Sequence, residues 1–197
     1  MAEIDYYLSP LSPYCYLAGQ KLEAIAAAQG ARIVYKPFQI ARIFEAVGTP
    51  AVKDRHPARK QYRLRDLART ARFEGLPINL QPAFWPTNPA AASAAIITAQ
   101  RIGGGDLGGL VHGFLKAVWA EDRDIAEAAV VKDVLNAHGF DPILADKGLL
   151  AAMETLDRNT DEALARGVFG APTYAIGEDL FWGQDRLPHL ERHLAEL

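Results

Sequence analysis

Ser12-Pro13-Tyr14-Cys15 comes after the aromatic and apolar run Ile4 to Leu8 and the punctuation of Ser9-Pro10, and its residue types are those of a helix start. Serine suits the N-cap, where its side-chain oxygen accepts from N–H groups of the first turn. Proline suits the next position, whose N–H has no helical partner in any case. That is a complete structural role. The same junction also gathers free N–H groups and the positive end of a helix dipole, which together favour an anion such as a thiolate. A second segment, Val168-Phe169-Gly170-Ala171-Pro172-Thr173, enters a later strand through proline. With the later strand beside the first in one sheet, this proline faces the N-terminus of the first helix. A cis peptide there turns the N–H and C=O of Ala171 outward, where they can pair with an extended peptide; an ordinary strand-start proline is the alternative.

Other chemistry-bearing groups are weaker. Gly103 to Gly108 spells G-x-G-x-x-G, but it joins two Ala-rich helical stretches instead of following a strand, so it reads as a loop. His189 and His193 share a helix face without a third ligand and read as a solvated pair; no metal is expected. Glu121-Asp122-Arg123-Asp124 lacks the rest of a calcium loop. Lys53 to Arg72 holds eight of the 21 Lys and Arg residues against only Asp54 and Asp66. Most of those bases read as a solvated helix face, with one or two near Lys60 drawing an anionic cofactor or substrate into a cleft.

Positioning these groups takes a strand over Ile4 to Leu8 feeding a helix from Ser12-Pro13 through Ile25, stopped by Gly30, then a strand over Arg32 to Lys36 closed by Pro37. That is β-α-β with a parallel pair. From Ile40 to Arg166 nearly every segment is Ala/Leu-rich at helical spacing, broken at glycines and prolines. Strand character returns at Pro172 to Ile176, turns at Gly177-Glu178-Asp179, and continues through Leu180 to Trp182. Gln184 or Asp185 then caps a last helix whose core face is Leu187, Leu190, Leu194 and Leu197. The expected fold is α/β, thioredoxin-like, with a large all-helical insertion: residues 1–39 and 167–197 form the thioredoxin-like part and 40–166 the insertion.

At 197 residues, 50% hydrophobic and 23% charged, the chain suits one well-packed globular unit. A formal charge of -3 supplies no general attraction for nucleic acid or an anionic membrane. The most apolar stretch, Ala90 to Ala99, is interrupted by Ser93 and Thr98 and falls short of the ~20 residues a membrane helix needs. An acidic N-terminal stretch without an apolar core does not resemble a secretory signal, and a single cysteine, Cys15, forms no internal disulfide. A cytoplasmic location is expected.

Ser12-Pro13-Tyr14-Cys15-Tyr16-Leu17-Ala18, Val168 to Thr173 and Trp182-Gly183-Gln184-Asp185-Arg186, in this order along the chain, resemble the kappa-class glutathione transferases and the bacterial 2-hydroxychromene-2-carboxylate isomerases, which share a DsbA-like fold. Tyr35 to Arg42, Trp85-Pro86 with Asn88, and Ala117-Val118-Trp119 extend the likeness. The resemblance implies glutathione as cofactor. The Ser12 hydroxyl would donate to its sulfur, the Ala171 backbone at Pro172 would pair with its cysteinyl portion, and Gln184 and Asp185 would hold its γ-glutamyl end. It further implies a small aromatic substrate, walled by Phe38, Asn88 and Trp119, and admits a homodimer.

Three positions depart from the family pattern. Thr49, after Gly48, stands where an asparagine usually contacts glutathione; the family lysine aligns with Arg59, with Lys60 one place later; and Cys15 replaces a serine. Because Ser12 occupies the first position of what would be C-x-x-C, disulfide cycling is excluded, while a mixed disulfide between Cys15 and glutathione stays open. The favoured reaction is glutathione-dependent cis–trans isomerisation of a 2-hydroxychromene-2-carboxylate. A kappa-type transferase and a non-catalytic carrier of glutathione-like peptides are the alternatives.

Overall fold

A computed structural model describes all residues, 1–197. Its sheet has four strands in the order β2-β1-β3-β4. β1 (Glu3–Leu8) and β2 (Arg32–Pro37) pair in parallel, with Tyr6 opposite Tyr35. β3 (Thr173–Ile176) runs antiparallel to β1, and β4 (Asp179–Trp182) antiparallel to β3. The expected strands therefore form where the β-rich runs predicted them. Alternation along β1 divides the core: Ile4, Tyr6 and Leu8 enter the main cluster, whereas Tyr7 points to the other face. β2 is an edge strand, and the Gln100 side chain closes it by accepting from Tyr35 N–H (2.7 Å) and donating to Tyr35 C=O (3.0 Å).

The single opening helix expected through Ile25 is two. α1 (Pro13–Leu17) ends before Gly19, which sits at φ +60°, and α2 (Lys21–Gln29) restarts beyond it and is closed by Gly30 at φ +62°. Helical spacing of the apolar residues survives the break, so periodicity could not reveal it.

Six helices lie between β2 and β3: α3 (Ile40–Ala46), α4 (Pro57–Glu74), α5 (Ala90–Ile102), α6 (Leu107–Trp119), α7 (Ala128–Ala137) and α8 (Leu149–Ala165). The main core cluster is continuous from the sheet into α4–α7, and α3 and α8 cover the Tyr7 face of the sheet. The glycine motif 103–108 spans the loop 103–106 between α5 and α6 and the first residues of α6, and it supplies Asp106 as N-cap, its Oδ1 accepting from Gly109 N–H at 2.9 Å. Neither Gln184 nor Asp185 caps the last helix. They lie in a short 3-10 turn, and α9 (Leu187–Ala195) begins at Leu187 without a side-chain cap. Leu187, Leu190 and Leu194 are buried as expected, but Leu197 is exposed beyond the helix end. No helix is long and apolar enough to cross a membrane.

Candidate functional site

Ser12 sits where β1 hands over to α1, at φ -83° and ψ 120°, the extended conformation an N-cap needs. Its Oγ accepts from Cys15 N–H (3.2 Å) and donates to the carbonyl of Ala171 (3.1 Å), 159 positions later in the chain. The Ala171–Pro172 bond is cis. The two segments thus meet through one hydrogen bond, and the Ala171 N–H has no partner within the protein. α1 has only five residues, so the helix dipole is small, and the polar groups at this junction are local ones.

Two recesses flank α1. One, of about 260 Å³, lies between α4 and the loop before α5; Val52, Lys60, Arg63, Leu64, Leu80 and Trp85 line it. Trp85 fixes it beside Ser12, because its indole N–H donates to the Leu11 carbonyl at 3.0 Å. The other, of about 410 Å³, is lined by Gln184 and Asp185 with Lys21, Arg69, Phe73 and Glu74. Asp185 there pairs only with its neighbour Arg186 (3.0 Å) and is more than half exposed, so it is free to exchange partners.

The anticipated residues distribute unevenly over this geometry. Of the two bases, Lys60 lines the first recess, its Nζ donating to Lys53 C=O at 3.1 Å, whereas Arg59 is exposed outside it. Thr49 closes α3 by donating its N–H to Phe44 C=O at 2.8 Å and makes no hydrogen bond to the Ser12 or Ala171 segments. Phe38 is not a wall: it is buried on the far side of the sheet, edge-on to Tyr7 and packed with Ile43 and Val168. Trp119 is fully buried, with its ring 5.5 Å from Trp85, so it stands behind the wall and Trp85 forms the surface. Asn88 is exposed, and its Oδ1 accepts from Ala90 N–H at the start of α5 (3.0 Å), a capping role. Arg63 and Trp85 were not singled out for the wall, although the basic run around Lys60 and the Trp85-Pro86 match pointed to this helix and this loop. His193 faces Asp179 at 3.6 Å and the Phe181 ring, and no group of three or more His, Cys, Asp or Glu side chains gathers to hold a metal.

Cys15 lies one turn into α1 with no exposed surface. Burial pushes its thiol up to about 11, against hydrogen bonds involving Ser9, Ser12 and Tyr6 that pull the other way. This closes the option of a mixed disulfide, which needs an accessible thiolate. At pH ~8.5, where an exposed thiol is half ionised, Cys15 remains a thiol. Alkylating reagents are therefore expected to leave the folded protein unmodified and to label one thiol per chain on unfolding, and Cys15→Ser should retain most activity. Rapid labelling of the folded protein, read by mass spectrometry, would overturn the assignment.

A family model of the DSBA-like thioredoxin domain matches residues 3–195. The chain is 30% identical to a 2-hydroxychromene-2-carboxylate isomerase of Pseudomonas putida, covering 98% of this chain and 95% of that protein. With glutathione S-transferase kappa 2 of Caenorhabditis elegans it shares 24% identity over 98% of this chain and 92% of the other. The solved structure of a 2-hydroxychromene-2-carboxylate isomerase superposes with a TM-score of 0.78 at 29% identity, over 98% of this chain and 95% of that one. The chain belongs to the DsbA-like thioredoxin family, among the relatives that include the 2-hydroxychromene-2-carboxylate isomerases and the kappa-class glutathione transferases.

Proposed function

We propose that the protein is a glutathione-dependent isomerase of 2-hydroxychromene-2-carboxylate-type aromatic acids, with Ser12 activating the thiol. The observation that carries this reading is the Ser12–Ala171 pairing, which puts a hydroxyl and an unpartnered main-chain N–H side by side at the surface of a thioredoxin fold. Those groups fit a cysteinyl peptide: the Ala171 N–H lacks an acceptor, and the Ala171 C=O can take a ligand N–H in place of the Ser12 hydroxyl. Bound glutathione supplies a thiolate nucleophile that adds reversibly to the unsaturated ring system and leaves after bond rotation.

The chain's own contribution follows from the hydrogen-bond exchange. Where a peptide N–H takes the lone pair of the Ala171 carbonyl that Ser12 now uses, the Ser12 O–H is freed to turn to a sulfur seated beside Ala171, while Cys15 N–H still holds the Ser12 oxygen in place. Binding and activation are thereby linked through one carbonyl. Gln184 and Asp185 offer an acceptor and a negative charge to the γ-glutamyl end, and Lys60 a positive charge on the opposite flank. The Trp85 face beside Leu11 gives a planar substrate a flat wall within reach of that sulfur. A single buried cysteine fits a reducing, cytoplasmic setting.

Purified protein should isomerise a 2-hydroxychromene-2-carboxylate, followed by absorbance, only when glutathione is present. Equal rates with and without glutathione would refute the reading. Conjugate accumulating with consumption of glutathione would move the protein to the transferases.

A further inference from the structure

Two guanidiniums pack against aromatic rings without a carboxylate: Arg55, over Phe44, donates to the Pro50 carbonyl at 3.2 Å, whereas Arg63, over two indoles, has no hydrogen-bond or ion-pair partner in the protein. The Arg63 Cζ lies 5.1 Å from the Trp85 ring centroid and 5.8 Å from that of Trp119. Burial lowers its proton affinity, and of the charges that act on it one is the phenol of Tyr14 and the other a second arginine, Arg55. The nearest acid along α4, Asp66, is occupied by the Tyr14 hydroxyl (3.3 Å) and by Arg69 (3.5 Å). Arg166 provides the contrast. That half-buried guanidinium, packed against Tyr7, is met by Asp5 at 2.7 Å and Glu162 at 3.7 Å. Arg166 is thus met by acids from within the fold, whereas Arg63, partly desolvated and without any partner, is costly to hold and calls for an anion from outside.

The recess agrees with that need. Its lining is apolar apart from Gln81 and the two cations Lys60 and Arg63, and it contains no acid. The indole N–H of Trp119, just behind, is likewise a buried donor without an acceptor. Stacking on indole occupies the face of a guanidinium and leaves its edge N–H groups for a planar, bidentate acceptor, which a carboxylate is.

We propose that Arg63 docks the carboxylate of the aromatic substrate and, with Trp85, selects planar aromatic anions over their neutral counterparts. This rests on the reading of the site given above. Glutathione carries carboxylates too, but the groups suited to its γ-glutamyl end line the recess on the other flank of α1, which shares no residue with this one. The glycyl carboxylate of glutathione has the exposed Lys60 at this recess, which leaves the guanidinium stacked on Trp85 for the carboxylate of the substrate.

The test compares 1-naphthoate with neutral 1-naphthamide by calorimetry at saturating glutathione, in the wild type, Arg63→Gln and Arg63→Lys, with melting curves to establish folding. The wild type should prefer naphthoate by about tenfold or more, as one charge-assisted contact allows. Arg63→Gln should weaken naphthoate binding by about ten- to a hundredfold and leave naphthamide and glutathione within about twofold. Arg63→Lys, which keeps the charge but loses the planar fork, should fall between, and it carries the test if the glutamine variant does not fold. KM for the chromene carboxylate should follow naphthoate. Equal binding of acid and amide by the wild type would overturn the proposal, as would an equal loss for both in the variants or a loss that falls on glutathione. Because the binding arms need no turnover, a protein without isomerase activity would sink the functional reading and still decide the role of Arg63.

Discussion

Ser12→Ala is expected to lower kcat by about tenfold to a hundredfold, the equivalent of one charge-assisted hydrogen bond of ~1.5–3 kcal/mol made to the reactive thiolate. At a pH where bound glutathione is still a thiol its affinity should stay level or rise slightly, because the mutation removes the hydroxyl that occupies the Ala171 carbonyl in the free protein, and it should fall only where the wild type holds the thiolate. A structural role predicts something different. Losing the N-cap to Cys15 N–H costs ~1 kcal/mol of stability, and that cost appears whichever role is right, so melting alone cannot separate them. The pH dependence of kcat can: loss of a thiolate stabiliser moves the acid limb toward higher pH, by about one unit for each ~1.4 kcal/mol lost. An unmoved limb with wild-type turnover would leave Ser12 as a cap alone.

The two tryptophans at the proposed substrate recess should separate as cleanly. Trp119 is fully buried at the centre of the main core, so Trp119→Ala should destabilise by ~3–5 kcal/mol, a large share of a typical folding free energy. For a chain of this size that amounts to a fall in Tm of about ten degrees or more. Trp85 is half-buried, and Trp85→Ala should cost much less stability while raising KM for an aromatic substrate about tenfold, through ~1–2 kcal/mol of lost stacking. Thermal melts and steady-state kinetics on both variants check this. If Trp119→Ala melts like the wild type and loses only substrate affinity, the wall has been assigned to the wrong indole.

What the sequence made legible was local. Ser12-Pro13 announced a cap, Pro172 announced a strand entry that faces it, and the β-rich runs at Ile4, Arg32 and Thr173 became strands. These signals concern a residue and its immediate neighbours. The misplaced residues are those whose role depends on which way a side chain faces after packing. Phe38 leaves β2 just after Pro37, and only the completed sheet sends it to the Tyr7 face. Trp119 and Trp85 are the same residue type from segments 34 positions apart, and the order in which they stack is a property of α6 against the loop before α5. Arg63 sits in a helix with seven other basic residues nearby, where charge alone could not tell the single guanidinium turned onto the indoles from those in water. The break at Gly19 was hidden for the opposite reason: apolar spacing continued across it although the backbone did not.

The account stands or falls on a thiolate held at Ser12. Its ultraviolet absorbance can be titrated directly in the protein–glutathione complex, because the chain's only thiol, Cys15, ionises at about 11 and stays silent near neutrality. Bound glutathione should titrate well below the ~8.5 of an ordinary thiol in the wild type and about one to two units higher in Ser12→Ala. A midpoint that is the same in both proteins, or one that matches free glutathione in the wild type, would contradict it.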